Sequence, residues 1–107
     1  MFVITTWIMP QTFLKVCMFI GSTLVNTGYH SGVEIQLQRY VDSCDCWMNA
    51  PTYFWEAYSE SDYAEIIEDD ISVASGTYRF KIVHTAYTSS GIEIESFVAN
   101  SNEITVP

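Results

Sequence analysis

The stretch Ile71–Tyr87, ISVASGTYRFKIVHTAY, constrains the fold more than any other. A turn at Ala74-Ser75-Gly76 is followed by the longest two-residue alternation in the chain. Successive strand side chains point to opposite faces. Tyr78, Phe80, Ile82, His84 and Ala86 therefore share one face, and Thr77, Arg79, Lys81, Val83, Thr85 and Tyr87 share the other. Arg79 and Lys81 are two of only four basic residues, so they mark the second face as the wet one.

Shorter extended segments surround it. Phe2 to Met9 is rich in β-branched and aromatic residues and is closed by Pro10. Thr12 to Val25 is a second strand, with Leu14, Val16, Met18 and Ile20 on one face and Phe13, Cys17 and Phe19 on the other. Asn26-Thr27-Gly28 and Ser31-Gly32 carry turn chemistry. Val33 to Tyr40 alternates cleanly, with Val33, Ile35 and Leu37 inward. Val41 to Cys46 is a polar connection, and Trp47 to Tyr58 follows with Trp47, Tyr53 and Trp55 on one parity. Pro51 bars that segment from the middle of a sheet. Asp62-Tyr63-Ala64-Glu65 has the form of a capping box, which a short helix would use, but a strand around Ala64 to Ile67 is preferred because Ile71 and Val73 resume an extended pattern. Ser89-Ser90-Gly91 is a hairpin loop, Ile92 to Val98 its return strand, and Glu103 to Val106 a last short piece. Seven or eight short strands at regular spacing make a sandwich or barrel.

The 107 residues form a single domain, 1–107, and a content of 49% hydrophobic residues excludes disorder. The net charge of −9 leaves too few Lys and Arg for a phosphate backbone, so nucleic acid is excluded as a partner. It argues equally against an anionic membrane surface. No unbroken apolar run approaches the ~18 residues of a membrane-spanning helix. The apolar first twenty residues fit either a strand or part of a targeting segment. They lack a basic start, and Pro10, Gln11 and Lys15 interrupt them.

Cys17, Cys44 and Cys46 are an odd number. Cys44 and Cys46 stand one residue apart, a spacing expected to be too tight for a bridge to each other, while Cys17 pairs with either in principle. No second cysteine pair or suitably spaced histidine makes a zinc site, so no metal is expected. Residues 56–70 hold seven of the thirteen acidic residues: Glu56, Glu60, Asp62, Glu65, Glu68, Asp69 and Asp70. Glu68, Asp69 and Asp70 have the oxygen chemistry for calcium but not an EF-hand spacing, so a solvated loop or mobile edge is expected there. His84 lies on the inward parity, where a core imidazole is expected rather than a catalytic base. His30 sits in a glycine-flanked loop open to solvent. No nucleophile, phosphate or dinucleotide motif is present, so neither catalytic residues nor a cofactor is expected.

Gly76-Thr77-Tyr78-Arg79-Phe80 resembles the entry to strand F of fibronectin type III and immunoglobulin-like domains. Gly91, Glu95-Ser96, Ser101-Asn102 and Ile104-Thr105-Val106 are similar to the turn and strand that follow it. Leu37-Gln38-Arg39, Trp47 with Trp55, and Gly76 to Arg79 also resemble, in that order, small fibronectin-like domains of secreted bacterial proteins. The resemblance implies an all-β, immunoglobulin/fibronectin III-like antiparallel β-sandwich of seven to eight strands. Within it Tyr78 forms a tyrosine corner and Phe80 is core. It also implies a secreted or cell-surface location and burial of Trp47 or Trp55 against the opposite sheet. The function expected is a structural or interaction module without catalytic activity, using its loops or an edge strand on a protein partner. The alternative is a carbohydrate-binding module whose exposed aromatics, drawn from Trp47, Tyr53, Trp55 and Tyr58, stack on a glycan.

Overall fold

Among the described residues of the computed structural model the alternating segments become eight strands and no helix: β1 (Val3–Gln11), β2 (Val16–Leu24), β3 (His30–Val41), β4 (Cys46–Ser59), β5 (Tyr63–Ser72), β6 (Gly76–Tyr87), β7 (Glu93–Asn100) and β8 (Ile104–Val106). The structure describes the backbone of residues 3–11 and 16–107, and side chains from residue 19 onward except Asp69 and Asp70. Every pairing is antiparallel. One sheet runs β1-β2-β5, and the other runs β4-β3-β6-β7 with β8 beside the first residues of β6. The protein is thus an antiparallel sandwich of the expected class.

The stretch singled out in the sequence supplies the centre of the larger sheet, where β6 lies between β3 and the β7/β8 pair. Val33, Ile35, Leu37, Phe80 and Ile82 are buried against Phe19, Ala64, Ile66 and Ile71 of the smaller sheet. The Phe19 ring meets Phe80 at 4.4 Å and Trp55 at 4.9 Å between centroids. Such tilted and edge-on pairs are worth about 0.5–1.5 kcal/mol each beyond their burial. Lys81 is exposed and Arg79 half-buried, so β6 has the expected register.

Tyr78 is buried, and its hydroxyl donates to the carbonyl of Ala74 at 2.8 Å, four residues upstream. That bond holds the chain where it leaves β5 and enters β6. At the other end of β6, Thr88 N–H donates to Ile92 O and Gly91 N–H to Thr88 O. Gly91 there takes a φ of 90°, which a side chain would resist.

Several expectations are corrected. Pro10 does not close β1, which continues to Gln11. β1 pairs only with β2, and an edge strand tolerates a missing N–H. Phe2 and residues 12–15 lie outside the described residues, as do the side chains of Val16, Cys17 and Met18. Ser31-Gly32 is no turn but part of β3, which places His30 at a strand start rather than in a loop. Gly32 leaves room for the Tyr87 side chain, whose ring would stand 2.9 Å from a Cβ at that position. The acidic segment, expected as a solvated loop or mobile edge, is divided between the two: Glu60 and Asp62 lie in the turn between β4 and β5, while Glu56 lies in β4 and Glu65, Glu68, Asp69 and Asp70 in β5, both edge strands.

The cysteines give the sharpest correction. Cys44 and Cys46 are joined by a disulfide, so neither is left for Cys17. The intervening Asp45 adopts a φ of 51°, the left-handed conformation that Asp tolerates better than most residues. The chain curls enough there to bring the two Cα atoms to 5.2 Å, inside the bridging range. Spacing in sequence misjudged a distance that backbone conformation decides.

Candidate functional site

Strand β4 was expected to carry Trp47, Tyr53 and Trp55 on one face. It pairs with β3 through Gln38↔Asn49 and then Gln36↔Phe54, so Ala50, Pro51, Thr52 and Tyr53 stand opposite Leu37 alone. The bulge reverses the parity of the strand. Tyr53 and Trp55 turn inward, partly buried against the core. Trp47, opposite Tyr40, faces outward. Gln36 holds the bulge by donating from Nε2 to the carbonyls of Ala50 (2.9 Å) and Tyr53 (3.2 Å).

The four ligand-contact aromatics therefore occupy different places. Trp55 packs on Phe19 and Phe80, and Tyr53 donates its hydroxyl to Ser72 O of the other sheet at 2.7 Å. Trp47 meets Tyr40 edge-on, and the Arg79 guanidinium lies 4.4 Å from the centre of its ring. The same guanidinium donates from Nε to Gln38 Oε1 at 2.9 Å, so one face of Trp47 is capped by a cation held in place. Tyr58 is exposed at the far end of the strand. It meets Tyr87 at an interplanar angle of 76° and His30 at 72°, and its hydroxyl lies 2.8 Å from His30 Nδ1. Trp47, Tyr53 and Trp55 form no coplanar exposed platform, because two of them face the core.

Of the two histidines, His84 is fully buried. Its Nδ1 lies 2.6 Å from Thr23 Oγ1, its Nε2 has no hydrogen-bond partner among the described residues, and burial lowers its pKa to about 4. With its pKa lowered, the buried imidazole is neutral near pH 7. His30 is bonded to Tyr58 rather than to a carboxylate. Among the described residues no group of His, Cys, Asp and Glu gathers closely enough to hold a metal ion. The side chains of Asp69 and Asp70, considered above for calcium, lie outside the described residues. Nor is any helix among them long and apolar enough to cross a membrane.

Two shallow grooves cross the outer face of the larger sheet. One of about 170 Å³ lies between Phe54 and Lys81, and one of about 380 Å³ runs over Gly32 between Tyr58 and Tyr87. Neither is lined by a histidine or cysteine.

The more distinctive surface is an edge. The larger sheet ends at β7, where every residue from Glu93 to Val98 is exposed, including Ile94, Phe97 and Val98, and Ile92 just before them. Among the described residues the other edge strands discourage pairing in different ways: Pro10 in β1, Pro51 and the bulge in β4, the acidic run in β5, and a length of only 3 residues in β8. β7 has neither proline nor lysine, and its two glutamates, Glu93 and Glu95, lie in its first three residues. Ser101 N–H donates to Phe80 O. Hydrogen-bonded and non-bonded pairs alternate along an antiparallel ladder. Ala99 and Phe97 therefore direct their main chain toward β6, and Asn100, Val98 and Ser96 direct theirs to the open side. Alternation in the sequence located this strand but not its position, because edge and centre strands of a two-faced sheet read alike until the order is known.

Comparison of the chain with protein-family models, with curated proteins and with solved structures gives no match.

Proposed function

We propose that the protein is a non-catalytic interaction module that receives an extended strand from a protein partner along β7. The observation that carries this reading is the contrast between β7, open on its backbone and apolar on its side chains, and the guarded edges of β1, β4 and β5. Strand addition takes its affinity from main-chain hydrogen bonds and its specificity from alternate side chains. Ser96, Val98 and Asn100 offer the former, and Phe97 with Val98 the latter. An extracellular or cell-surface setting fits this role, and the Cys44–Cys46 disulfide supports it, since such bonds persist in oxidising compartments. The fibronectin-like resemblance of Gly76 to Phe80 agrees with a binding module on a rigid sandwich. The glycan alternative loses support from the inward turn of Tyr53 and Trp55.

The test is an NMR titration with a peptide of about eight residues alternating valine and lysine, chosen to complement an acidic, apolar edge. Amide signals of Ser96, Val98 and Asn100 are expected to shift in a saturable way. Shifts confined to the outer face around Tyr58, or none at all, would refute strand addition.

A further inference from the structure

The β7 strand is complementary to itself. Its residues from Glu95 to Asn100 pair without interruption against β6, so they present an unbroken edge. An antiparallel copy can align on this edge in only a few registers. Those that place Glu95 opposite Glu95, or Glu93 opposite Glu95, set like charges face to face and are disfavoured. In the register where Phe97 faces Phe97, Glu95 meets Ala99, Glu93 meets Ser101, and Ser96 meets Val98. No carboxylate then opposes another.

The hydrogen-bonding phase agrees. Ser96 and Val98 send their N–H and C=O groups to the open side, so two reciprocal Ser96–Val98 pairs form about four main-chain hydrogen bonds. Phe97 falls on a non-bonded pair, where side chains approach most closely and an aromatic pair contributes most. Its ring is 42% exposed in the single chain and so has apolar surface left to bury.

Resting on the strand-accepting edge proposed above, we propose that the strand β7 receives is the β7 of a second copy, antiparallel across a two-fold axis at Phe97. The sheet β4-β3-β6-β7 then continues into the partner's β7-β6-β3-β4, an isologous contact that closes on itself and leaves no growing end. The net charge of −9 on each copy opposes the union at long range, so added salt tightens it.

Sedimentation equilibrium of the full chain, carried up to about 1 mM, is expected to show a monomer–dimer equilibrium. Val98→Pro removes an N–H from the open side while leaving the ladder to β6 intact, and is expected to raise the dimer Kd at least about tenfold. Phe97→Lys and Phe97→Glu are each expected to sediment as monomers, and an equimolar mixture of the two as a heterodimer, which only the Phe97–Phe97 register explains. Thermal melts of each variant report folding, and the mixing result survives modest destabilisation. A wild-type monomer throughout the range would overturn the inference. So would a dimer indifferent to Val98→Pro and to both charge variants. If the valine–lysine peptide still shifts the β7 amides of such a monomer, the strand-accepting edge stands and only the identity of its occupant falls. If neither peptide nor second copy engages β7, both fall.

Discussion

Trp47 and Trp55 lie eight positions apart on one strand and point to opposite sides of the sandwich. Trp55 shares the core with Phe19, while Trp47 lies under the Arg79 guanidinium on the outer face. Trp47→Phe is therefore expected to remove most of the iodide-quenchable fluorescence attributable to this pair, and Trp55→Phe little of it. Stern–Volmer slopes of the two variants make the comparison. Equal slopes would show that the bulge does not turn the strand.

Tyr78→Phe tests the tie between β6 and the turn before it. The ring keeps its place in the core, but the carbonyl of Ala74 loses its donor. A loss of about 1 kcal/mol is expected, measured by urea denaturation with an unchanged m-value.

The Gln36 side chain reaches into the β4 bulge. Its Nε2 satisfies the carbonyls of Ala50 and Tyr53. Gln36→Leu keeps the bulk and removes the donors, so a loss of about 1–3 kcal/mol is expected. A larger amide exchange rate at residues 50–53 than elsewhere in β4 should accompany it. A variant as stable as the parent would mean that the bulge is held by other contacts.

His84 makes stability depend on pH. Its folded pKa is lowered to about 4 because burial disfavours the imidazolium, whereas the unfolded value stays near 6.5. The unfolded chain thus takes up a proton first. The contribution is fully present above about pH 6.5 and declines as pH falls toward 4, by at most about 3 kcal/mol. Denaturation at pH 7.5 and 4.5 is expected to show a larger difference for the parent than for His84→Leu, since carboxylate titration is common to both. Matching pH profiles would remove His84 from the account.

What could be read from sequence divides along physical lines. The two-residue alternation of β3 and β6 is long enough to fix which of Ile35, Leu37, Phe80 and Ile82 face inward, because a register slip would expose all of them at once. The turn Ala74-Ser75-Gly76 was legible because a run of small residues interrupts the alternation just before β6 begins. The parity of Trp47 was not, since a bulge between Asn49 and Phe54 leaves the composition of the strand unchanged while shifting its phase. The Cys44–Cys46 bridge depends on the φ of Asp45, which no spacing rule carries. The open edge at β7 depends on strand order, a property of the whole sandwich rather than of any one segment.

The Tyr53–Ser72 hydrogen bond gives the two sheets a bound spine. It joins β4 to β5, the edge strands that flank one long side of the molecule, whereas β7 forms the margin of the larger sheet away from that seam. A strand added at β7 lengthens the page without disturbing the binding. A strand added at β4 would meet the seam and the irregular backbone at Pro51. The tie thus does more than hold two layers together: it sets the direction in which the molecule can be extended.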